Sequence, residues 1–462
     1  MTLSTSSLLS MMPVVVSMAV VSLQQPPVPT SGNQTPAPQQ PSEFKLVITG
    51  DDPGTPPKLA VPDFIALSSD RETQEIARTI AEVLWNDLDY EREFYMIPRD
   101  TYKSIPPPTS IADPPLDQWR ELGADGIVIG AVRKSGTSVR VEMRLYRVSS
   151  QQQIFAREYT GSAANPRLYS HTMSDEIHES QRSLRGVART KLTFVSDRNR
   201  ERVSGTVENR ELKEVYISDY DGANPRRITV GRQLNNSPTW SPDGRAIAYT
   251  SWRSGFMDIY VSRIYEGTMA TPTKGSASSQ NFLPMYSPDG TKLAFTSNRD
   301  GNAEIYVMNV DGSGLRRLTN HPAIDVTPTW SPTGTQIAFT SERSGAPSIW
   351  VVGADGLNLR QLTFEHSDRA TWSPAPFNEI AFAARTGPGY DIKVHNIAEG
   401  KIRQITFGEG SNESPTWAPN GRHLGFTSTR AGRTQVFTVD RDGKNVRQLT
   451  REGNNQQPHW SQ

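Results

Sequence analysis

The sequence has no cysteine, no net charge and no apolar run long enough to cross a membrane comfortably. Without cysteine the chain can form neither disulfides nor cysteine–zinc sites, and it cannot use a cysteine nucleophile. Its 49 Lys plus Arg residues balance 49 Asp plus Glu residues, which argues against a nucleic-acid binder because such proteins carry a basic excess. The mostly apolar run from Leu8 to Val21 is shorter than the roughly 20 residues of a membrane helix.

The first 57 residues do not have the pattern of a folded domain. The run from Leu8 to Val21 has the length of a signal-peptide core, and we expect residues 1–22 to be an export signal. The signal is atypical because no Lys or Arg precedes Lys45. The alternative is a disordered tail with a chance apolar patch. Residues 23–57 are rich in Pro, Gln, Ser and Thr and predict a flexible segment. One stretch in it, Phe44 to Thr49, predicts a short strand that can pair with an exposed sheet edge.

Residues 58–186 alternate between strand and helix patterns. A strand from Lys58 to Phe64 precedes a capping box, Ser69 to Glu72, and a helix with one apolar face. The complete order β-α-β-α-β-β-β-α predicts a small α/β domain with helices packed on a sheet. The stretch from Gly123 to Gly130 lacks the glycine spacing of a dinucleotide-binding loop.

Residues 187–462 repeat one motif six times. Its fullest form, Pro-Thr-Trp-Ser-Pro-Asp-Gly, occupies residues 238–244. A spacing of about 44 residues, with four short strands in each unit, predicts a six-bladed β-propeller. The repeated aromatic residues, which we expect in the core between blades, are Trp240, Tyr286, Trp330, Trp372, Trp417 and Trp460.

The two ends of the repeat region complement each other. Lys191 to Val195 has the pattern of a blade's second strand without a first, and Pro458 to Ser461 has the pattern of a first strand with nothing after it. We therefore expect the C-terminal strand to complete the first blade, which leaves no exposed edge. The predicted fold class is an α/β N-terminal domain plus an all-β six-bladed β-propeller closed by the C-terminal strand.

A small polar or acidic residue precedes the innermost strand of every blade. The loops between the last strand (D) of one blade and the first strand (A) of the next share a face with the B–C turns, so these side chains should ring the mouth of the central channel. An ordinary role at the entrance to a strand is the alternative, because these residue types are common there. The residues are Asn235, Asn281, Asp325, Ser367, Asn412 and Asn455.

An arginine also recurs in the B–C turn of every blade, on the same face. It could bind an acidic partner through bidentate contacts. The alternative is that each arginine ties its turn to a neighbouring carboxylate. The six are Arg198, Arg253, Arg299, Arg343, Arg385 and Arg430.

The sequence offers little support for catalysis. Its seven histidines form no His-Glu-x-x-His motif, and no Gly-x-Ser-x-Gly motif occurs. We expect no metal and no cofactor. A polar channel mouth without a catalytic cluster favours a binding module; the alternatives are a propeller hydrolase or lyase acting at the mouth, or a propeller that binds sugars or peptides.

Some motifs identify a protein family more selectively than the propeller repeat does. The motifs are Phe44–Thr49, Leu59–Phe64, Gly123–Gly130, the junction His171–Ile177 with Gly186–Leu192, and Val215–Asn224. On these motifs the chain from about Glu43 to its end resembles the TolB family, periplasmic components of the Tol–Pal system in double-membraned bacteria. Blade five departs from the pattern because it has lost the Pro-Asp-Gly turn.

The resemblance implies a non-enzymatic periplasmic scaffold that supports outer-membrane integrity and constriction at cell division. In the family, the channel mouth docks the peptidoglycan-associated lipoprotein Pal, and the N-terminal segment docks the inner-membrane protein TolA. We expect a monomer that reaches membranes only through these partners. Carried over by position, the Pal site comprises the mouth residues above with Gln280 beside Asn281. The TolA-binding strand comprises Glu43, Phe44, Lys45, Leu46, Val47, Ile48 and Thr49.

Overall fold

The computed structural model describes residues 47–49, 54–201, 212–231 and 233–462. The predicted export signal and residues 43–46 of the predicted partner-binding strand lie outside the described residues, as does most of the predicted flexible segment. Over the described ranges, an α/β domain precedes six four-stranded sheets arranged as the blades of a propeller. The predicted fold class is therefore confirmed.

The α/β domain consists of one mixed sheet and the helices packed on it. Its elements are β1 (Lys58–Ala60), β2 (Ile65–Ala66), α1 (Arg71–Glu91), β3 (Tyr95–Met96), a 3-10 helix (Arg99–Ser104), α2 (Leu116–Glu121), β4 (Gly126–Ser135), β5 (Ser138–Arg147), β6 (Gln152–Ser162) and α3 (Pro166–Arg182). The sheet order is β3-β1-β4-β5-β6, with β2 also paired to β4. Strands β3, β1 and β4 are parallel, whereas β4, β5 and β6 form an antiparallel meander.

Helix α1 begins one residue later than the predicted capping box. Asp70 is the N-cap, and its carboxylate accepts a hydrogen bond of 2.8 Å from the backbone N–H of Thr73. The helix then buries Ile76, Ile80 and Leu84 against the sheet, as its apolar spacing predicts.

The propeller blades follow one another along the chain, each with strands A to D. Blade 1 begins with β7 (Lys191–Ser196), β8 (Glu214–Asp219) and β9 (Arg226–Arg227). Blade 2 has β10 (Asn235–Trp240), β11 (Ala246–Ser251), β12 (Asp258–Arg263) and β13 (Thr268–Ala270); blade 3 has β14 (Asn281–Tyr286), β15 (Lys292–Ser297), β16 (Glu304–Asn309) and β17 (Arg316–Arg317). Blade 4 has β18 (Asp325–Trp330), β19 (Gln336–Ser341), β20 (Ser348–Gly353) and β21 (Arg360–Gln361). Blade 5 has β22 (Ser367–Trp372), β23 (Glu379–Thr386), β24 (Gly389–Asn396) and β25 (Lys401–Gln404); blade 6 has β26 (Asn412–Trp417), β27 (His423–Ser428), β28 (Gln435–Asp440) and β29 (Arg447–Gln448).

The last strand of the chain, β30 (Asn455–Trp460), closes the ring. It pairs antiparallel with β7 and supplies strand A of blade 1, as predicted from the two ends of the repeat region. Trp460 is almost wholly buried, and its indole N–H donates to Thr190 Oγ1 at 2.7 Å. The contact ties the closing strand to the segment that leads into β7.

The repeated aromatic residue of strand A lies in the core between blades. Trp330 of blade 4, for example, packs against Ile305 and Val307 of blade 3 as well as Ile337 of its own blade. Its flat ring fills the wedge between two twisted sheets. No helix among the described residues is long and apolar enough to span a membrane.

The face formed by the A–B and C–D turns contacts the α/β domain. The end of helix α1 supplies most of that contact. Tyr220 Oη donates to Asp87 Oδ1 at 2.8 Å, Asn420 Nδ2 donates to Glu91 Oε2 at 3.1 Å, and Arg447 Nη2 donates to Asp89 Oδ2 at 2.8 Å. The D–A loops and B–C turns lie on the opposite face, which we call the loop face.

Candidate functional site

The six residues predicted to ring the channel mouth are the first residues of their A strands, and all are buried. Asn235 is 5% exposed and the other five are fully buried. Their side chains therefore point into the blades and not into the channel, which corrects the predicted orientation. The set is Asn235, Asn281, Asp325, Ser367, Asn412 and Asn455. Their role in partner binding stays a prediction.

All four asparagines bridge neighbouring blades, and Asn235 Nδ2 donates to Glu214 Oε2 at 2.9 Å. Asn281 Nδ2 donates to Asp258 Oδ1 at 3.1 Å, and Asn412 Nδ2 donates to Asp391 Oδ1 at the same distance. Asn455 Nδ2 donates likewise to the side chain of Gln435 at 2.8 Å. Each acceptor lies at or near the start of strand C in the preceding blade. It comes 20–23 residues before the asparagine in the sequence. The seventh predicted residue of the mouth, Gln280, precedes Asn281 and is half-buried in the loop before strand A.

The repeated arginines bind these same first residues in four blades. Arg299 Nη2 donates to Asn281 Oδ1 at 2.6 Å, and Arg343 pairs with the Asp325 carboxylate. Each guanidinium also lies over an aromatic ring of strand B or C; that of Arg299 is 5.0 Å from the ring centre of Tyr306. Blades 1 and 6 repeat the arrangement with the pairs Arg198–Asn455 and Arg430–Asn412. The two recurrent features of the sequence are thus partners of each other.

The predicted arginines of blades 2 and 5 are exposed. The prediction placed Arg385 in the B–C turn, but it lies within β23, one residue before the position of the other arginines. In blade 5, Ser367 stands where the others have Asn or Asp, and its hydroxyl donates to the Glu365 carbonyl at 2.9 Å. Among the described residues, no acceptor holds the Arg385 guanidinium, whereas its backbone N–H donates to the His366 carbonyl at 2.9 Å. Arg253 of blade 2 donates to the sulfur of Met269, at 3.7 Å.

The side chains that do line the narrow part of the channel come two residues later in strand A. A β-bulge follows the second residue of each A strand, and the third residue has a φ between 49° and 55°. These residues, together with the proline that follows in most blades, line a cavity of about 100 Å³. They are Ser237, Leu283, Thr327, Arg369, Ser414 and Gln457.

Towards the α/β domain the channel widens to about 530 Å³. The ends of all six A strands line this part, with Arg185 from the interdomain junction and Gln462 from the C-terminus. Burial lowers the pKa of His459, between the two parts, to about 4, so the imidazole is neutral near pH 7. Its Nδ1 accepts from the backbone N–H of Trp240 at 3.2 Å. Apart from Arg369 and Arg185, the side chains that line the channel are therefore uncharged.

A second ring, which the sequence analysis missed, lies on the loop face. In every blade a threonine after strand D accepts a hydrogen bond of 2.8–3.0 Å from the second residue of strand C. This bond fixes the loop, and the next side chain projects into solvent. We call these exposed side chains the display ring. They are Val230, Lys274, Asn320, Phe364, Phe407 and Arg451. The signal in the sequence is a recurrent threonine followed by a residue that does not recur.

Two members of the display ring are exposed phenylalanines in adjacent loops. Phe364 is 87% exposed and Phe407 is 71% exposed. Thr363 and Thr406, which precede them, are buried, so each loop is anchored directly beside its displayed ring. Large apolar side chains held rigidly in water are typical of binding surfaces.

Three residues of the predicted TolA-binding strand are described, and they dock on the α/β domain. Ile48 is fully buried beside Leu59, and its backbone N–H donates to Gln181 Oε1 at 3.0 Å. A Cβ at position 126 would lie 2.3 Å from the end of the Ile48 side chain, so Gly126 leaves the space that this side chain occupies. Val47 is half-buried and Thr49 is exposed.

The interdomain contact buries several titratable groups. Glu91 accepts from the backbone N–H of Val187 at 2.7 Å and pairs with Arg422. Burial opposes its charge, but the hydrogen bond with His423 and the nearby cations outweigh burial and lower the pKa of Glu91 to about 2. Within the described ranges, no group of three or more His, Cys, Asp or Glu side chains is placed to hold a metal ion.

Comparison with known proteins gives consistent matches along the chain. The sequence profile of the TolB beta propeller domain matches residues 179–462, and that of the TolB amino-terminal domain matches residues 44–154. A crystal structure of TolB from Acinetobacter baumannii is similar to this chain, with a TM-score of 0.73 and 26% identity, covering 88% of this chain and 96% of that one.

Curated relatives are similar over part of their length. The Tol-Pal system protein TolB of Desulfosudis oleivorans is 32% identical over 45% of both chains. The protein of the same name from Geobacter sulfurreducens is 37% identical over 37% of both, and that from Roseobacter denitrificans is 35% identical over 58% of this chain and 59% of its own. The chain thus matches about half the length of these relatives.

Proposed function

Because the chain belongs to the TolB family, whose propeller profile matches more than half of it, we propose that it is a non-enzymatic periplasmic scaffold of the Tol–Pal system. It links the lipoprotein Pal to the inner-membrane protein TolA, and through them it supports outer-membrane integrity and envelope constriction at division. The observation that carries this proposal is the loop face, where anchored threonines hold six side chains out in solvent.

Pal binds on the loop face, around the channel mouth. The α/β domain contacts the opposite face, through the turns that contain Tyr220 and Asn420. A partner on the loop face therefore does not compete with the contact between the domains. The buried first residues of the A strands, with Gln280, act in this proposal by holding the loops that carry the contact surface.

TolA binds the segment from Glu43 to Thr49. Since Ile48 fills a core position of the α/β domain, binding of the whole segment requires Ile48 to leave that position. Its backbone hydrogen bond to Gln181 is lost in the same step. The segment therefore cannot be docked on the α/β domain and bound to TolA at the same time.

The two proposed interactions are tested separately with the purified full chain. Calorimetry with the soluble domains of the organism's own Pal and TolA should show one site for each. Deletion of residues 43–47, which retains Ile48 in the core, should abolish TolA binding and leave Pal binding unchanged. A chain that binds neither protein, or TolA binding that survives the deletion, contradicts the corresponding half of the proposal.

A further inference from the structure

We propose that Pal docks on one arc of the loop face, formed by Phe364, Arg385 and Phe407, and presents there an acidic side chain flanked by apolar ones. The assignment rests on the proposed function and names the residues within it. We call these three residues the blade-5 arc.

The two phenylalanines supply apolar area on fixed supports. They are among the most exposed large apolar side chains of the described residues, at 87% and 71%. Ile349 N–H donates to Thr363 at 2.8 Å and Ile392 N–H donates to Thr406 at 2.9 Å. Little loop entropy is lost when a partner covers rings that are anchored in this way.

Arg385 supplies a cation that its own blade does not use. The strand pairing places Arg385 one residue before the position that the arginines of blades 1, 3, 4 and 6 occupy, and Thr386 stands at that position in blade 5. Those four arginines each bind an Asn or Asp at the start of strand A. Ser367 replaces that acceptor in blade 5 and bonds instead to the Glu365 carbonyl. An exposed guanidinium without an acceptor in its own blade is well suited to bind a carboxylate in a bidentate manner.

Hydrogen bonds bring the three parts of the arc together. Arg385 N–H donates to the carbonyl of His366, two residues after Phe364. Across the same hairpin, Tyr390 Oη bonds to His366 Nε2 at 3.1 Å, and Tyr390 N–H donates to Ser411 Oγ at 3.3 Å. Ser411 ends the loop that begins at Phe407. The hairpin that carries Arg385 therefore contacts both loops.

Nearby carboxylates are already paired with other cations. Glu365 binds Lys393 at 2.6 Å, and Glu409 binds Arg430 at 3.0 Å. They consequently leave the charge of Arg385 available to a partner. Apolar rings around an available cation fit an acidic residue with apolar neighbours, which is the chemistry that we assign to the docking segment.

Affinity measurements with the soluble domain of the organism's own Pal test this assignment. In the full chain, Phe364→Ser with Phe407→Ser should weaken binding roughly thirtyfold or more, as expected for central aromatic anchors. Arg385→Ala should weaken it roughly tenfold and reduce its dependence on salt, whereas Arg385→Lys should retain the salt dependence but lose part of the affinity.

Two double variants at other exposed positions serve as controls. Tyr265→Ser with Leu357→Ser removes residues that are 73% and 64% exposed in turns of the opposite face. Val230→Ser with Arg253→Ala removes an apolar side chain and a cation from another arc of the loop face. The first pair should bind Pal like the unaltered chain, and the second pair, which includes a display-ring residue, should weaken Pal binding less than the blade-5 variants do. Thermal unfolding of every variant should match that of the unaltered chain, because all these side chains are exposed.

The outcomes separate this assignment from the proposed function. If the unaltered chain binds Pal and the blade-5 variants bind equally well, the assignment is wrong and the proposed function stands. Loss of binding only in the Val230 and Arg253 pair moves the site to another arc and also overturns it. If the unaltered chain does not bind Pal, the proposed Pal function fails and the assignment fails with it.

Discussion

The two faces of the propeller differ in what covers them. Where one face contacts the α/β domain, Glu91, Asp87 and His171 of that domain are almost wholly buried and have hydrogen-bond partners in neighbouring elements. On the loop face, side chains such as Phe364 and Arg385 are exposed beside buried anchors. The same four-stranded repeat therefore supplies one face that stabilises the molecule and another whose exposed side chains can be altered without a large loss of stability.

The largest difference between the faces should appear on removal of a carboxylate. Glu91→Ala leaves Arg422 and the backbone N–H of Val187 without their buried acceptor and should lower the free energy of unfolding by about 3–5 kcal/mol. Glu409→Ala, the control on the loop face, breaks an exposed pair with Arg430 and should cost under about 1 kcal/mol. Urea unfolding followed by tryptophan fluorescence measures both. Equal costs would remove the distinction between the faces.

A smaller difference should separate two arginines of the loop face, Arg343, which is paired with a buried carboxylate, and Arg385, which is exposed. Arg343→Ala leaves the fully buried carboxylate of Asp325 without its cation and should cost about 3 kcal/mol. Arg385→Ala, in blade 5, should change stability by about 0.5 kcal/mol or less, as is usual for surface positions. Adding Asp325→Asn to the first variant should restore part of the loss, because it removes the unpaired charge. Absence of that recovery in the same urea assay counts against the charge as the cause.

The smallest expected effect is the pH dependence of the interdomain contact. Burial opposes the charge on His171, but Asp219 and Asp87, 3.8 Å and 2.8 Å away, outweigh burial and the repulsion of Arg167 and raise its pKa to about 9. Since the unfolded value is 6.5, this stabilisation is complete below about pH 6.5 and is lost as the pH rises through 9. The loss should be on the order of 3 kcal/mol or less.

Thermal unfolding at several pH values between 6 and 10 measures this loss. His171→Gln should be less stable than the unaltered chain at pH 6 and should lack the part of the alkaline decline that belongs to this residue. The loop-face variant Arg385→Ala is the matched control and should keep the full decline. A His171 variant with an unchanged pH profile would contradict the assignment.

Local pattern was enough to predict most of the fold. The aromatic residue that recurs in strand A, as at Trp240, and the alternating strand patterns predicted six blades. The incomplete repeats that begin at Lys191 and at Pro458 predicted that the C-terminal strand closes the ring. These inferences succeed because hydrophobic alternation and turn residues act within a few positions of each other.

The site was predicted less well, for a reason visible in strand A. The alternation of inward and outward side chains along a strand does not show that a bulge turns Ser237 towards the channel in place of Asn235. The bulge depends on how strand A pairs with strand B. The same pattern does not predict that Arg299 binds Asn281, or that the Arg385 guanidinium has no acceptor among the described residues. The display ring was open to detection, because Thr363-Phe364 and Thr406-Phe407 stand at equivalent points of the repeat.

The amino-acid sequence by itself determined the blade count, the order of the domains and the closing strand, because each depends on periodicity along the chain. Only the tertiary structure decided which polar side chains are buried and which are exposed. That outcome depends on neighbouring blades and on the α/β domain, whose contacting residues lie far away in sequence, as Asp89 and Arg447 do. A hydrogen bond or ion pair between such residues has no periodic signature, and it forms only when packing has excluded water from both.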